Sequence, residues 1–223
     1  MVNIHIADMF SDNHAAIFGI SKSGKSNFAR ALFAQKDVEL AIYWNPQAEH
    51  LAAYRVSTPA DLARAIAAGK DKINFIPSPD IANAEQEMKD ITHILFNIGV
   101  NAYPEHRPPR PTMRFIIDEA PDLCTASYSV IDTLARRGNR YGIQAVAIAQ
   151  TPADLSKSFW KQCVTSVFFN IGTFQERYFI SYGMPYERIK TWTAKPYHFF
   201  IYTTLLQKHE HEFRPIKNYM EAR

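Results

Sequence analysis

Residues 17–26, IFGISKSGKS, decide the fold of this chain. From Gly19 to Ser26 they match the pattern G-x-x-x-x-G-K-[ST], in which glycines let backbone N–H groups turn toward phosphate oxygens. The preceding residues, HAAIFGI, have the length of a buried strand, and the following residues, KSNFARALFAQ, have the apolar spacing of a helix. A strand, this loop and a helix in succession predict a phosphate-binding loop.

The loop predicts both a ligand and the residues that bind it. Lys25 is expected to neutralise β- and γ-phosphate oxygens and to act in catalysis, and the Ser26 hydroxyl is expected to bind Mg²⁺. ATP and Mg²⁺ are therefore the predicted cofactors. The residues predicted to contact the nucleotide are Gly19, Ser21, Lys22, Ser23, Gly24, Lys25, Ser26 and Asn27.

The composition excludes several classes of protein. With 223 residues, 47% of them hydrophobic and 21% charged, the chain predicts one globular domain over residues 1–223. No apolar run approaches the length of a membrane span and the N-terminus, MVNIHIADMF, lacks signal-peptide features, so we expect a soluble intracellular protein. The net charge is only +3, so any DNA binding must use local basic loops.

Apolar strands alternate with helical patterns along the rest of the chain. The segments that predict strands are VELAIYWNP, KINFIPSP, MRFIIDEA, IQAVAIAQTP and VTSVFFNIG. Strands that are apolar on both faces are typical of parallel sheets, so the fold class is predicted as α/β, with a largely parallel sheet and helices on both faces. The segments YHFFIYTTLL and EHEFRPI predict a C-terminal antiparallel hairpin at the sheet edge.

A second motif, RFIIDEAPDL, places two acids at the end of a hydrophobic strand. Asp118 is expected to hold the Mg²⁺ shell, and Glu119 to polarise the water that attacks the γ-phosphate. Successive side chains at a strand end point in different directions, which suits two different roles. A solvated strand end before a helix is the alternative, and the phosphate loop upstream favours the catalytic interpretation.

Gln150 ends the next apolar strand, AVAIAQ. In a doubly wound sheet ligands bind beyond the carboxyl ends of the strands, so this side chain is predicted to reach the γ-phosphate and to respond to hydrolysis. The alternative is that Gln150 caps the helix that follows at Thr151 and Pro152.

Together these motifs resemble the FtsK-HerA superfamily of DNA-translocating P-loop ATPases. The resemblance rests on GISKSGKS, FIIDEAPDL and RRGNRYGIQAVAIAQTPADL, over residues 15–155 in motif order. In its short length the chain looks most like the genome-packaging ATPases of tailless, internal-membrane viruses of the tectivirus type. The resemblance implies a RecA-like P-loop NTPase fold and a motor that hydrolyses ATP to move double-stranded DNA into a preformed capsid.

The resemblance also implies a ring, expected to be a hexamer, in which a neighbour's arginine completes each ATP site. Arg136, Arg137 and Arg140 are the candidates because they lie between the two catalytic strands near a helix end. Such an arginine stabilises charge on the transferring phosphoryl group. For each one taken singly, a solvated surface charge is the competing interpretation.

Basic loops are the predicted DNA contacts. The segment HRPPRPTMR contains Arg107, Arg110 and Arg114, and its prolines limit the entropy lost when a loop becomes ordered. Lys70 and Lys72, in AGKDKIN, are candidates of the same kind. The alternatives are a plain solvent-exposed loop for the first segment and the ordinary preference of helix C-termini for lysine for the second.

The predicted partners are double-stranded DNA, further copies of the chain, and capsid-vertex or membrane proteins of a virion. The predicted location is the host cytoplasm or a packaging vertex. Three alternatives stay open: an assembly, secretion or conjugation ATPase with the same core, such as the Zot type; a small-molecule kinase; and a subunit that binds ATP without cleaving it. Glu119 and Gln150 suit water as the nucleophile, which disfavours the kinase, and a subunit that does not hydrolyse ATP has no need of Glu119.

Overall fold

Strands and helices alternate along the chain as the sequence predicts. The computed structural model describes residues 10, 13–123, 130–172, 176–203 and 209–213. The strands are β1 (Ala15–Phe18), β2 (Leu40–Trp44), β3 (Tyr54–Val56), β4 (Lys72–Phe75), β5 (Met113–Ile117), β6 (Ile143–Ala149), β7 (Thr165–Phe168), β8 (Phe199–Thr203) and β9 (His209–Phe213). The helices are α1 (Lys25–Ala34), α2 (Pro59–Ala67), α3 (Ile81–Ala102), α4 (Val130–Arg137), α5 (Lys157–Gln162), α6 (Glu176–Ser181) and α7 (Tyr186–Thr193). Short 3₁₀ segments lie at Ala120–Leu123, Gly138–Tyr141 and Pro152–Asp154.

These strands form one sheet in the order β3-β4-β2-β5-β6-β1-β7-β8-β9. Neighbouring strands from β3 to β7 are parallel, whereas β8 runs antiparallel to both β7 and β9. The predicted parallel sheet and its C-terminal antiparallel hairpin are both confirmed. Strand β6 lies between β1 and β5, so the strand that precedes Gln150 separates the strand of the phosphate loop from the strand of the acids.

Apolar side chains cover both faces of the sheet, with an unequal number of helices on each. Among the described helices, α1 alone packs on the first face, where Phe28 and Leu32 meet Ile17 and Ile116. Helices α2 to α7 pack on the second face, against a larger core that includes Phe115. Helices on both faces, as predicted, are therefore confirmed, and the first face is the one that carries the helix after the phosphate loop.

Local sequence sets where the helices begin. The Thr58 side chain accepts a hydrogen bond from the N–H of Asp61 (3.1 Å) at the start of α2, with Pro59 in the first turn. Asp80 caps α3 by accepting from the N–H of Asn83 (2.9 Å). In contrast, α1 follows Gly24, and no described side chain caps it. The first N–H groups of α1 are thus available to an anion.

The parallel strands give the sheet two chemically different edges. Their carboxyl ends meet at what we call the carboxyl edge, where the loop after β1, the acids after β5 and Gln150 after β6 all lie. Their amino ends meet at the opposite, amino edge, which is reached by the loops that precede β4, β5 and β6.

Candidate active site

The phosphate-binding loop is held by backbone hydrogen bonds to residues that follow the two strands flanking β1. The N–H of Gly19 donates to the carbonyl oxygen of Gln150 (3.0 Å), and the N–H of Ile20 donates to the carbonyl oxygen of Asn170 (2.7 Å). Gly19 has a φ of 151°, and a Cβ added there would lie 2.7 Å from the Cβ of Phe169. A side chain at this position is therefore excluded by both conformation and space.

Lys25 folds back over the loop. Its Nζ donates to the carbonyl oxygens of Gly19 (2.5 Å) and Ile20 (3.0 Å). Desolvation lowers the pKa of Lys25, and the charges of Glu119 and Asp118 partly oppose this shift. The loop lysine and the two acids therefore belong to one electrostatic site.

The other predicted loop residues differ in exposure. The exposed positions are Ser21, Lys22 and Asn27, and the partly buried positions are Gly24 and Ser26. Lys22 has a left-handed φ of 61°. Ser23 is buried, and its hydroxyl has no hydrogen-bond partner among the described residues. A left-handed residue within a run of N–H groups is the kind of backbone concavity that binds anions.

Asp118 and Glu119 follow β5 at the carboxyl edge, where the sequence predicts them. Asp118 is buried, and its N–H donates to the carbonyl oxygen of Trp44 (3.2 Å). Its Oδ1 accepts from the N–H of Glu119 (3.1 Å). Glu119 has a left-handed φ of 52°, a conformation that is costly for a non-glycine residue and that is concentrated at functional sites. Its side chain lines a groove at the ends of β2 and β4.

Tyr43, on β2, holds the side chain of Asp118. The Tyr43 hydroxyl donates to Oδ2 of Asp118 at 2.8 Å, and the tyrosine is 1% exposed. Burial and the neighbouring Asp118 charge raise the pKa of Tyr43, so its hydroxyl stays protonated. Sequence reasoning missed this residue, because the contact depends on β2 lying beside β5.

The oxygen donors at this edge fit a Mg²⁺ ion that binds together with ATP. Mg²⁺ in nucleotide sites takes one or two protein oxygens and completes its shell with phosphate oxygens and water. The Asp118 carboxylate and the Ser26 hydroxyl, in the first turn of α1, are oxygens of this kind. Within the described ranges, no cluster of three His, Cys, Asp or Glu side chains offers a metal site without nucleotide.

Gln150 is exposed at the carboxyl edge, directly after β6. The N-cap of the following 3₁₀ segment is Thr151, so the alternative in which Gln150 caps that segment is wrong. The Gln150 carbonyl holds Gly19, and this bond joins the end of β6 to the phosphate-binding loop.

The three candidate arginines lie toward the amino edge, and all are exposed. Their contacts are the Ser158 hydroxyl for Arg136 (3.0 Å), the Phe96 ring for Arg137 (5.6 Å) and the Tyr141 ring for Arg140 (5.9 Å). Strand β6 spans 7 residues and separates this segment from the carboxyl edge, a distance of about 23 Å. These arginines therefore lie far from the phosphate-binding loop of their own subunit.

One predicted DNA contact, Arg114, is wrong. This residue lies in β5 and is 2% exposed. Its guanidinium binds both carboxylate oxygens of Asp37 (2.8 and 2.6 Å) and donates to Oε1 of Gln144 (2.6 Å). A buried cation is stable only when it is paired in this way, so Arg114 is a structural residue.

Lys72 makes a structural contact within the chain, and its role as a DNA contact stays a prediction. It begins β4, is partly buried, and donates to the carbonyl oxygen of Ala34 at the C-terminus of α1. Helix C-termini attract cations in this way. The other DNA candidates, Lys70, Arg107 and Arg110, are exposed on loops at the amino edge. In the described part of the chain, no helix is long and apolar enough to cross a membrane.

Comparison with known proteins identifies the fold of this chain. No protein-family model and no curated protein sequence matches this chain. Its structure is similar to that of the genome packaging NTPase B204 from Sulfolobus turreted icosahedral virus 2 in complex with ATP-gammaS, with a TM-score of 0.68 and 21% identity over 92% of this chain and 98% of that chain. This chain therefore has the same fold as B204. The similarity to B204, the DNA-packaging ATPase from Sulfolobus Turreted Icosahedral Virus, is equivalent: TM-score 0.67, 20% identity, 94% of this chain and 100% of that chain.

Other proteins share this fold. ATPases 2 and 3 of Thermomonospora curvata EccC, solved in complex with a signal sequence peptide, give a TM-score of 0.52 and 14% identity over 91% of this chain and 38% of that chain. The resemblance predicted from the sequence is thus confirmed at the level of the fold.

Proposed function

We propose that this chain is an ATP-hydrolysing motor that translocates double-stranded DNA and packages a viral genome into a preformed capsid. The observation that carries the proposal is that Lys25, Asp118 and Glu119 all lie at the carboxyl edge of a sheet that has the fold of B204. A fold alone does not specify an activity, whereas a phosphate-binding lysine beside two carboxylates supports a particular chemistry.

ATP hydrolysis follows from the residues at this edge. The loop N–H groups after Gly19 and the ammonium of Lys25 bind the β- and γ-phosphates. Ser26 and Asp118 would hold Mg²⁺, which supplies neutralising charge on the phosphate oxygens. The Glu119 carboxylate accepts a proton from the attacking water, and the Gln150 amide orients that water or the γ-phosphate.

A neighbouring subunit supplies a positive charge to each site. Arg136, Arg137 and Arg140 lie a strand length away from their own loop, so each acts only on the nucleotide of another copy. Arg136 already bonds to Ser158, which leaves Arg137 and Arg140 as the better candidates. We propose a closed ring, expected to be a hexamer, that docks on capsid-vertex or membrane proteins.

DNA contacts the amino edge in this proposal. Lys70, Arg107 and Arg110 are exposed there, on the opposite side of the sheet from the nucleotide. Lysine and arginine side chains bind DNA phosphates without regard to sequence, as packaging of a whole genome requires. Binding at one edge and hydrolysis at the other allows the sheet to transmit force between them.

Steady-state ATP hydrolysis with and without long double-stranded DNA tests the proposal. We expect DNA to accelerate hydrolysis by the wild-type chain. An Arg107→Ala/Arg110→Ala variant should lose the acceleration and keep the basal rate, whereas Lys89→Ala, which removes an exposed charge from α3, should behave as wild type. A rate of hydrolysis that does not change with DNA would favour the assembly, secretion or conjugation ATPase.

Mixing inactive variants tests the arginine and the ring. Lys25→Ala cannot bind phosphate, and Arg137→Ala or Arg140→Ala should bind ATP but lose roughly 1,000-fold in rate. In a mixed ring, a subunit with an intact Lys25 can lie beside a subunit with an intact arginine. Such a pair forms a complete site, so activity should return. Two inactive variants that stay inactive when mixed would contradict an arginine acting between subunits.

A further inference from the structure

The geometry points to Tyr43 as a positioning residue for both acids of the active site. The inference rests on the proposed ATPase function and adds a residue that no sequence motif includes. The hydroxyl of Tyr43 fixes the carboxylate of Asp118, and Asp118 in turn fixes the backbone of Glu119.

The two oxygens of Asp118 have different partners. Oδ2 accepts from the Tyr43 hydroxyl (2.8 Å), and Oδ1 accepts from the N–H of Glu119 (3.1 Å). Together the two hydrogen bonds define the plane of the carboxylate. Without the hydroxyl, the carboxylate could rotate, which would weaken its bond to Glu119 and change the direction in which it would offer an oxygen to Mg²⁺.

The conformation of Glu119 makes the hydrogen bond from its N–H to Asp118 important. Its φ of 52° lies in the left-handed region, which a glutamate adopts only when its surroundings stabilise it. The hydrogen bond from its N–H to Asp118 is one such interaction. Tyr43 therefore acts on the direction of the Glu119 side chain through Asp118.

The sheet places the Tyr43 hydroxyl accurately. Tyr43 pairs with Ile116 in the register of β2 and β5, and its ring packs at right angles against Phe33 on α1, with centroids 5.6 Å apart. The residue is 1% exposed. Partners of metal-binding side chains commonly orient them in this way, and their removal costs about 10-fold to 100-fold in metal affinity or activity.

The test is Tyr43→Phe, which keeps the ring and removes only the donor. Three quantities should be measured: the Mg²⁺ concentration that half-saturates ATP hydrolysis, kcat, and the affinity for a fluorescent ATP analogue in EDTA and in Mg²⁺. We expect half-saturation to rise and kcat to fall, each about 10-fold. Nucleotide affinity in EDTA should not change, so the gain in affinity given by Mg²⁺ should shrink.

The matched control is Tyr202→Phe, which removes a hydroxyl from another buried tyrosine, on β8, and should leave all three quantities as in wild type. In an Asp118→Ala background, Tyr43→Phe should have no further effect. A Tyr43→Phe variant that loses thermal stability but keeps wild-type Mg²⁺ dependence would overturn the inference.

Failure of the proposed function has a different outcome. If the wild type binds ATP but does not hydrolyse it, the proposed function fails. The Mg²⁺ dependence of nucleotide affinity still tests Tyr43 in that case. An unchanged affinity ratio between EDTA and Mg²⁺ in Tyr43→Phe would then reject the positioning role.

Discussion

The N–H of Gly19 and the carbonyl oxygen of Gln150 lie 3.0 Å apart and join the phosphate-binding loop to the end of β6. The contact follows from the parallel pairing of β1 with β6. We therefore expect a displacement of the loop to move the end of β6 as well. Strand β6 begins next to the segment that carries Arg136, Arg137 and Arg140. This strand therefore connects the candidate active site with the amino edge.

Gln150→Ala should slow hydrolysis about 10-fold or more without weakening ATP binding. The substitution removes the amide side chain and keeps the backbone carbonyl that holds Gly19. Single-turnover phosphate release and nucleotide titration measure the two effects separately. Gln162→Ala, at an exposed position at the end of α5, serves as the control. Loss of ATP affinity in Gln150→Ala would instead indicate a role in holding the loop.

Lys25→Met should abolish ATP binding yet leave the nucleotide-free protein at least as stable as wild type. The pKa of Lys25 is lowered from 10.5, mainly by desolvation, so its charged form costs stability in the folded state. That cost is fully present below the folded pKa and disappears as pH rises to the unfolded value.

Thermal unfolding from pH 7 to pH 10.5 measures this effect. The gain in stability of Lys25→Met over the wild type should be greatest at neutral pH and should shrink as pH rises. ATP should raise the melting temperature of the wild type alone. A Lys25→Met variant that is least stable at neutral pH, relative to wild type, would contradict the prediction.

Glu119→Gly should be more stable than Glu119→Ala by about 1 kcal/mol. In an ordinary position alanine is the more stable of the two, but the left-handed φ of 52° at Glu119 reverses the order. Denaturant unfolding of both variants measures the difference, and both should lack hydrolysis. An alanine variant more stable than the glycine variant would mean that the backbone there is not left-handed.

Arg114→Met should lower the free energy of unfolding by about 3 kcal/mol, because it leaves Asp37 and the buried Gln144 without their cationic partner. Arg110→Met, four residues earlier in the exposed loop, should change stability by less than about 0.5 kcal/mol. Urea denaturation of the two variants makes the comparison. Equal free energies of unfolding for the two variants would contradict the structural role of Arg114.

The fold was largely predictable because its signals are local. Strand β1, the loop from Gly19 to Ser26 and helix α1 are specified by adjacent residues, and the cap at Thr58 is readable from Thr58 and Pro59 alone. Strand β3 was missed, since it has only three residues and two of them are exposed. Such a strand exists because β4 offers a parallel partner, and this is tertiary information.

The site was predictable only as far as its motifs extend. Asp118 and Glu119 lie where the strand pattern places them, but the Tyr43 contact requires knowing that β2 adjoins β5. Arg114 was wrongly assigned to the proline-rich loop because the charge pattern does not change where that loop ends and β5 begins. Asp37, which pairs with the buried Arg114, is 77 residues away in sequence.

The measurement that tests the central claim most directly compares ATP binding and phosphate release in the wild type and Glu119→Gln. Glutamine keeps the size of the side chain and cannot accept the proton of the attacking water. We predict that Glu119→Gln binds ATP with Mg²⁺ as tightly as wild type and releases phosphate at least about 100-fold more slowly. Phosphate release at the wild-type rate in Glu119→Gln would contradict this account of the active site.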